Sequence, residues 1–405
     1  MRHSALLQAF QNRGRVMTSD LHRMYAIGLM AFIIFLSTLV SLPVLPRLST
    51  ELGAETYQIP IVVSAALATV VVAQFFAGAL ADRFSRKRLI LVGTALGSVS
   101  SLLCLIASDW IHLVILRVLG GVADAISMPA LLAITSTLGK DAPGRFFGIL
   151  RSSQGLSFVV GPALGAVLSL ASLRAPFLVD GLLSLVAFCA ALYLIKGGER
   201  ASSEHNLGVF RSLGATFGNS RVFVYLLMGF AGLFAFGIFG VFVPTKGEML
   251  GLNAWEIGLI LATGSFAFSV SSYFTGVISD KVGRKLYVLA SLGILVLSGV
   301  GLVYADSLSL LIGFYVLFCL TNAVPYLLSF VYASEAFDPS YIGAAMGAFD
   351  SLMDLSLLIA PLLGVAALGM TGEMAYPLLL AVLPAFFALF VIFAFLRESH
   401  VPKQM

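Results

Sequence analysis

The chain has 405 residues, of which 59% are hydrophobic and 11% charged, with a net charge of +4. Soluble globular domains carry about 25% charged residues, and a single soluble core of this length has no room for so much apolar surface. The composition therefore excludes an ordinary soluble domain and points to an all-α membrane protein.

Residues 1–24 are polar and basic, which reads as a cytoplasmic segment rather than a cleaved signal. A hydrocarbon layer about 30 Å thick needs roughly 20 apolar residues per helix. Cutting the chain at charged, Gly, Pro, Asn and Asp punctuation predicts twelve spans: 25–46, 58–81, 88–107, 111–137, 146–170, 175–196, 222–246, 255–279, 286–304, 308–334, 341–368 and 374–397. The longest polar break, 197–221, reads as a cytoplasmic linker between six-helix bundles 25–196 and 222–397, and 398–405 as a cytoplasmic tail.

Basic residues set the orientation. With the N-terminus inside, nineteen Lys and Arg fall on the cytoplasmic side and only Arg47, Arg174 and Lys246 on the other. That bias predicts both termini in the cytoplasm, as for a bacterial inner-membrane protein. The same distribution answers the pI near 9, so no nucleic-acid partner is expected. Cys104, Cys189 and Cys319 lie in apolar runs with no C-x-x-C spacing and read as buried structural thiols. No metal or cofactor is expected. Enzyme motifs of the H-E-x-x-H, G-x-S-x-G and G-x-x-x-x-G-K-[ST] types are absent.

The two halves repeat. GALADRFSRK at 78–87 matches GVISDKVGRK at 276–285, setting Gly78 on Gly276 and Asp82 on Asp280, 198 positions apart. Gly148, Pro162 and Gly165 recur as Gly347, Pro361 and Gly364, 199 apart. Internal repeats of this kind build many secondary transporters.

With these residues in view, the chain resembles the major facilitator superfamily over residues 20–400. The loop after span 2 is similar to that family's G-x-x-x-D-R-x-G-R-[KR] signature through Gly78, Asp82, Arg83, Arg86 and Lys87. Ser85 replaces its second glycine, predicting a less tight turn, whereas Gly283 keeps it in the second copy. SLPVLP at 41–46, LRVLGG at 116–121 and span 5, with Gly148, Gly155, Gly161, Pro162 and Gly165, resemble the drug/proton antiporter branch. The resemblance implies the major facilitator fold, twelve transmembrane helices in two pseudo-symmetric bundles, and export in exchange for protons. Close helix packing is the other use of the span 5 glycines.

An ionisable side chain at mid-membrane needs a reason. Arg117 and Asp124, seven apart on one face of span 4 with Gly120 and Gly121 between them, are the candidate proton and substrate site. Low dielectric favours a neutral carboxyl and a neighbouring cation the charged one, so a carboxylate is the natural proton carrier. Asn322 and Tyr326, beside Pro325 at an expected helix break, add polar contacts to the cavity. Asp180 lies close to the start of its span and reads as an interfacial structural residue.

Asp350 and Asp354 share a face of span 11, either as a second proton site or, for Asp350, as half of a cytoplasmic latch. The expected latch pairs are Asp350 with Arg83 or its neighbours and Arg151 with Asp280. Asp82 faces the N-terminus of span 11. Gly276, Lys281, Arg284 and Lys285 complete the gate in the second copy, and Arg86, Lys87 and Arg88 are expected to anchor the cytoplasmic face, where lipid contact suits them.

The aromatic content of spans 7, 8 and 10 suits amphipathic cargo. The leading expectation is therefore a monomeric, proton-coupled exporter of small drug-like molecules in the lipid bilayer. A proton symporter importing a nutrient is the alternative, and a transporter-like receptor the third.

Overall fold

The computed structural model describes residues 2–195, 214, 218, 220–281 and 283–396, with side chains from Leu21 onward. The side chains of the expected N-terminal segment up to residue 20, most of the linker 197–221, and the tail 398–405 lie outside the described residues.

Among the described residues twelve long helices follow one another: α1 (Arg2–Ser41, continued by a 3-10 turn into Leu45–Glu51), α2 (Ile59–Arg83), α3 (Arg86–Leu103), α4 (Trp110–Leu138), α5 (Pro143–Ser169), α6 (Ala175–Leu194), α7 (Ser220–Met249), α8 (Ala254–Ser279), α9 (Arg284–Tyr304), α10 (Leu308–Ala336), α11 (Ile342–Thr371) and α12 (Ala375–Phe395). No strand occurs among the described residues. Eleven of the twelve are long and apolar enough to cross a membrane. The exception is α5, whose glycines, serines, Arg151 and Gln154 lower its hydropathy; packing against other helices explains why it tolerates them.

The starts of the helices follow local chemistry. Pro60, Pro143 and Pro176 occupy first turns, where the missing N–H is not needed. Asp109 caps α4 by accepting from the Ile111 N–H at 2.7 Å. Asn253 and Glu256 form a reciprocal capping box on α8. Pro325 lies inside a continuous α10, so the expected break is not there.

Packing repeats as the sequence does. In the first half α1 lies on α5 and α6, and α3 on α4 and α6; in the second α7 lies on α11 and α12, and α9 on α10 and α12. Two seams join the halves, α2 on α11 and α8 on α5. Lys87 Nζ donates to the Leu192 carbonyl near the end of α6, and its counterpart Lys285 to Phe393 near the end of α12, at 2.5 and 2.9 Å. Cations at helix C-termini satisfy carbonyls that have no partner in the helix.

The basic residues expected on the opposite face have their own employment. Arg174 donates to Leu105 and Ala107 at the end of the α3 segment. Lys246 donates to Leu302 and Val303 at the end of α9.

Two further expectations need correction. Cys189 is exposed, whereas Cys104 and Cys319 are buried. Arg86 is buried rather than turned to lipid; it donates to the Ala133 carbonyl and to Thr137 Oγ1.

Candidate functional site

The two seams are built alike. Gly78 lies against Gly343 and Gly347, and a Cβ added there would meet the Gly343 carbonyl at 2.5 Å. Gly276 lies in the same way against Gly144 and Gly148. Farther along, Ser351 Oγ donates to Val71 O across the α2–α11 seam, and Ser269 Oγ to Ser152 O across the α8–α5 seam.

Each seam ends in a carboxylate seated on a helix N-terminus. Asp82 accepts from the N–H groups of Gly343 and Ala344 at 2.7 and 2.8 Å, capping α11. Asp280 accepts from Gly144 and Arg145 at 2.9 and 2.8 Å, capping α5. In each case a side chain of one half satisfies N–H groups that the partner helix leaves unbonded. The glycines that permit this approach are the ones at the repeated spacing.

Gly155 also faces α8, against Phe268 and Ser269, whereas Gly161 and Gly165 face α1 at Leu39 and Val40. The span 5 glycines thus serve packing on both sides, with Pro162 carried inside the helix.

The expected latch pairs do not form. Arg151 Nη2 meets Asp350 Oδ1 at 3.2 Å, both residues being almost fully buried. Arg83 is exposed, and Asp280 is taken by the α5 cap and by Arg284 at 3.3 Å. The physical reason is position: Arg151 and Asp350 are equivalent residues of α5 and α11, each about two turns in from the capped start of its helix. Around the pair, Gln154 Oε1 accepts from Arg151, Gln74 Nε2 donates to Asp350, and the guanidinium lies over the rings of Tyr326 and Phe330 at 4.7 and 4.1 Å. Lys281 is exposed, and Arg284 is buried against Glu335 at 2.7 Å.

Above this plug a cavity of about 200 Å³ opens between the halves, lined among others by Thr38, Asp124, Gln154, Tyr326 and Asp354. A lobe of about 50 Å³ continues it toward Phe158, Phe236, Phe268 and Asn322. Asp354 has no hydrogen-bond donor among the described residues, and buried Asn322 Oδ1 has no partner. Asp350 and Asp354 both line the cavity but differ: Asp350 is paired in the plug, whereas Asp354 is bonded to no described residue.

Asp124 accepts from Thr38 Oγ1 at 3.4 Å and lines both this cavity and a separate chamber of about 30 Å³ within the first half. Arg117, Gly120 and Asp180 line the same chamber. Gly121 packs against α2 instead. Asp180 is buried within the protein and accepts from Ser41 at 3.1 Å.

A family model described as Major Facilitator Superfamily matches residues 27–361, and again 225–404. The chain belongs to the Major Facilitator Superfamily. Among curated relatives it is 27% identical over 174 residues to the quinolone resistance protein NorA of Staphylococcus aureus, covering 43% of this chain and 45% of NorA. It is 30% identical over 247 residues to the uncharacterized transporter EfpA of Mycobacterium tuberculosis, covering 60% of this chain and 43% of EfpA. The matched stretches thus span less than half the length of these relatives. The fold is shared with the human organic anion transporter MFSD10, with a TM-score of 0.69 at 17% identity, covering 92% of this chain and 99% of that one. This chain is accordingly a multi-pass membrane protein of the superfamily.

One departure from the superfamily pattern proves costless. Ser85 has φ −59° and ψ 124°, and Gly283 has φ −56° and ψ 130°. Neither turn uses the left-handed region, so the expected loosening at Ser85 does not arise. Sequence reasoning missed Gln74 and Gln154, which complete the plug; the only signal was an amide within an apolar run, weaker than a charge.

Proposed function

We propose that this transporter is a proton-coupled antiporter that exports small amphipathic, drug-like molecules by alternating access. The observation that carries the reading is the Arg151–Asp350 plug, which seals one end of a cavity shared by both halves. A buried ion pair between two rigid bodies is a two-state element. Its formation favours closure, and its loss costs little once water reaches both partners.

In this reading residues 25–196 and 222–397 are the moving halves, all twelve helices span, and α5 is the twelfth span despite its polarity. Both termini are cytoplasmic, the protein is a monomer in the inner membrane, and the plugged end is the cytoplasmic one. The structure is then outward-facing. The gate comprises the paired caps, the glycine seams and the plug, while Asp124, Asn322, Tyr326 and Asp354 serve the cavity and Arg117 the chamber beside it.

Three phenylalanines, Tyr326 and an unpaired amide oxygen suit a ligand with an aromatic body and a polar handle. The relative named for quinolone resistance is in keeping with such cargo. Purified protein in vesicles loaded with a pH dye tests this with norfloxacin and a panel of aromatic compounds. Antiport predicts that external substrate drives protons out as it enters. Movement of the opposite sign indicates symport, and none across the panel overturns proton coupling.

A further inference from the structure

The first half carries a polar chamber whose counterpart positions in the second half hold apolar, buried side chains at three points. Burial patterns set α1, α3 and α4 on α7, α9 and α10 at a shift of 198, and α6 on α12 at 201, with Pro176 on Pro377. At these shifts Ser41 corresponds to Phe239, Gly120 to Phe318 and Asp180 to Ala381. Phe239 and Phe318 are fully buried and meet edge to face at 4.7 Å, and Ala381 is fully buried too. The places of Ser41, Gly120 and Asp180 are therefore filled by apolar, buried side chains in one half, while the other half is open enough there for a water molecule.

Nothing in the fold requires that difference, because the second half builds the same helix contacts without it. A membrane helix that keeps ionisable groups without structural need has a function for them.

The contents of the chamber narrow the ligand. Asp180 lines it away from the central cavity, which it does not touch, with Ser41 donating to it and Ser101 beside it. Asp124 stands at its mouth, since it alone of the two carboxylates also lines the central cavity. Arg117 is about nine-tenths buried, makes no hydrogen bond or ion pair with a described residue, and leaves Nε without a partner.

Two carboxylates and one guanidinium sum to one negative charge, and an enclosed net charge is unfavourable in low dielectric. One added proton balances the set. A metal cation is a poorer fit, because the guanidinium would lie against it. Cys104 also faces Arg117 and Asp180, while Arg151, Asp350 and Asp354 face Asp124 across the central cavity.

We propose that this chamber is the transporter's proton site, holding one proton shared between Asp124 at the mouth and Asp180 within. The proposal rests on the proton-coupled reading and assigns Asp180 as its inner station. A proton reaching Asp124 from the central cavity neutralises it. Transfer to Asp180 restores the Asp124 anion, leaves Asp180 neutral, and consumes nothing else.

The test is the infrared band of protonated carboxyls in the purified full-length protein, recorded against pH. Asp180→Asn and Asp124→Asn are each expected to remove the same one-carboxyl intensity, because Arg117 balances whichever carboxylate remains. Full retention of the band in Asp180→Asn overturns the proposal. Should either variant not fold, Ser41→Ala keeps both acids and removes one donor. It is expected to move the band's pH midpoint by at least about half a unit, and an unmoved midpoint overturns the assignment of Asp180. The vesicle assay separates the two readings: substrate-driven proton movement with an intact Asp180→Asn band rejects this site alone, and no movement in wild type rejects coupling.

Discussion

Arg151 and Asp350 stand 199 positions apart in the chain and 3.2 Å apart in space. They occupy equivalent places in the two repeats, so the pseudo-symmetry of the fold brings a residue face to face with its own counterpart. One copy became a cation and the other an anion, which turns a symmetric contact into an attractive one.

Removing one member of a buried pair leaves a charge that must be desolvated alone, a cost of roughly 3–5 kcal/mol. Arg151→Ala and Asp350→Ala are therefore each expected to lower the thermal midpoint in detergent and to abolish transport. Exchanging the charges, Arg151→Asp with Asp350→Arg, is expected to recover at least half of the lost stability. Arg151→Asp with Asp280→Arg is expected to recover none, because Asp280 is bonded to the start of α5. Equal rescue by both double variants would contradict the pairing.

How much of this was legible in the sequence depends on whether the signal was periodic. The repeat at Gly78 and Gly276 located both seams, and the placing of Asp82 against the start of span 11 followed from charge and helix dipole alone. Partner choice was harder to read. Arg151 and Asp350 each had several opposite charges within plausible reach, and only the depth of each residue along its helix decides among them. Asp180 is a related case: its place near the start of the span gave no sign that neighbouring helices enclose it or that Ser41 of α1 donates to it. The emptiness of the chamber had no sequence signal until the second half supplied Phe239 and Phe318 for comparison.

The two helix caps are predicted to act as equals. Loss of an N-cap side chain costs about 1 kcal/mol, and 1.4 kcal/mol is a tenfold change in an equilibrium. Asp82→Ala and Asp280→Ala should each raise the fraction open at the plugged end about fivefold. Spin labels at Lys140 and Asp338, exposed residues on opposite halves at that end, should report a longer-distance population in both variants. A shift in only one of them would break the equivalence.

Ser85→Gly is expected to leave the thermal midpoint and the Lys140–Asp338 distance distribution unchanged within error. The backbone at Ser85 is already that of Gly283, and a mobile glycine adds only unfolded-state entropy of a few tenths to 1 kcal/mol. Any gain in activity on restoring glycine would mean that the turn visits a left-handed conformation during transport.

Gly78→Ala should be far worse than its size suggests. Its Cβ would meet the Gly343 carbonyl at 2.5 Å and the Ala344 and Gly347 Cα atoms at 3.1 Å. These are backbone atoms, which cannot swing aside as a side chain does, so relief requires α2 and α11 to part. Parting them also stretches the bonds from Gly343 and Ala344 to Asp82, so Gly78→Ala and Asp82→Ala should act through one event and combine less than additively. Gly240→Ala is the control. It sits within α7 with nothing inside 4 Å of its added Cβ, and alanine there should stabilise the helix by about 0.5–1 kcal/mol. The Lys140–Asp338 distance should lengthen in Gly78→Ala and stay as in wild type in Gly240→Ala. An unchanged distance in Gly78→Ala would mean that the seam yields elsewhere and does not hold the halves closed.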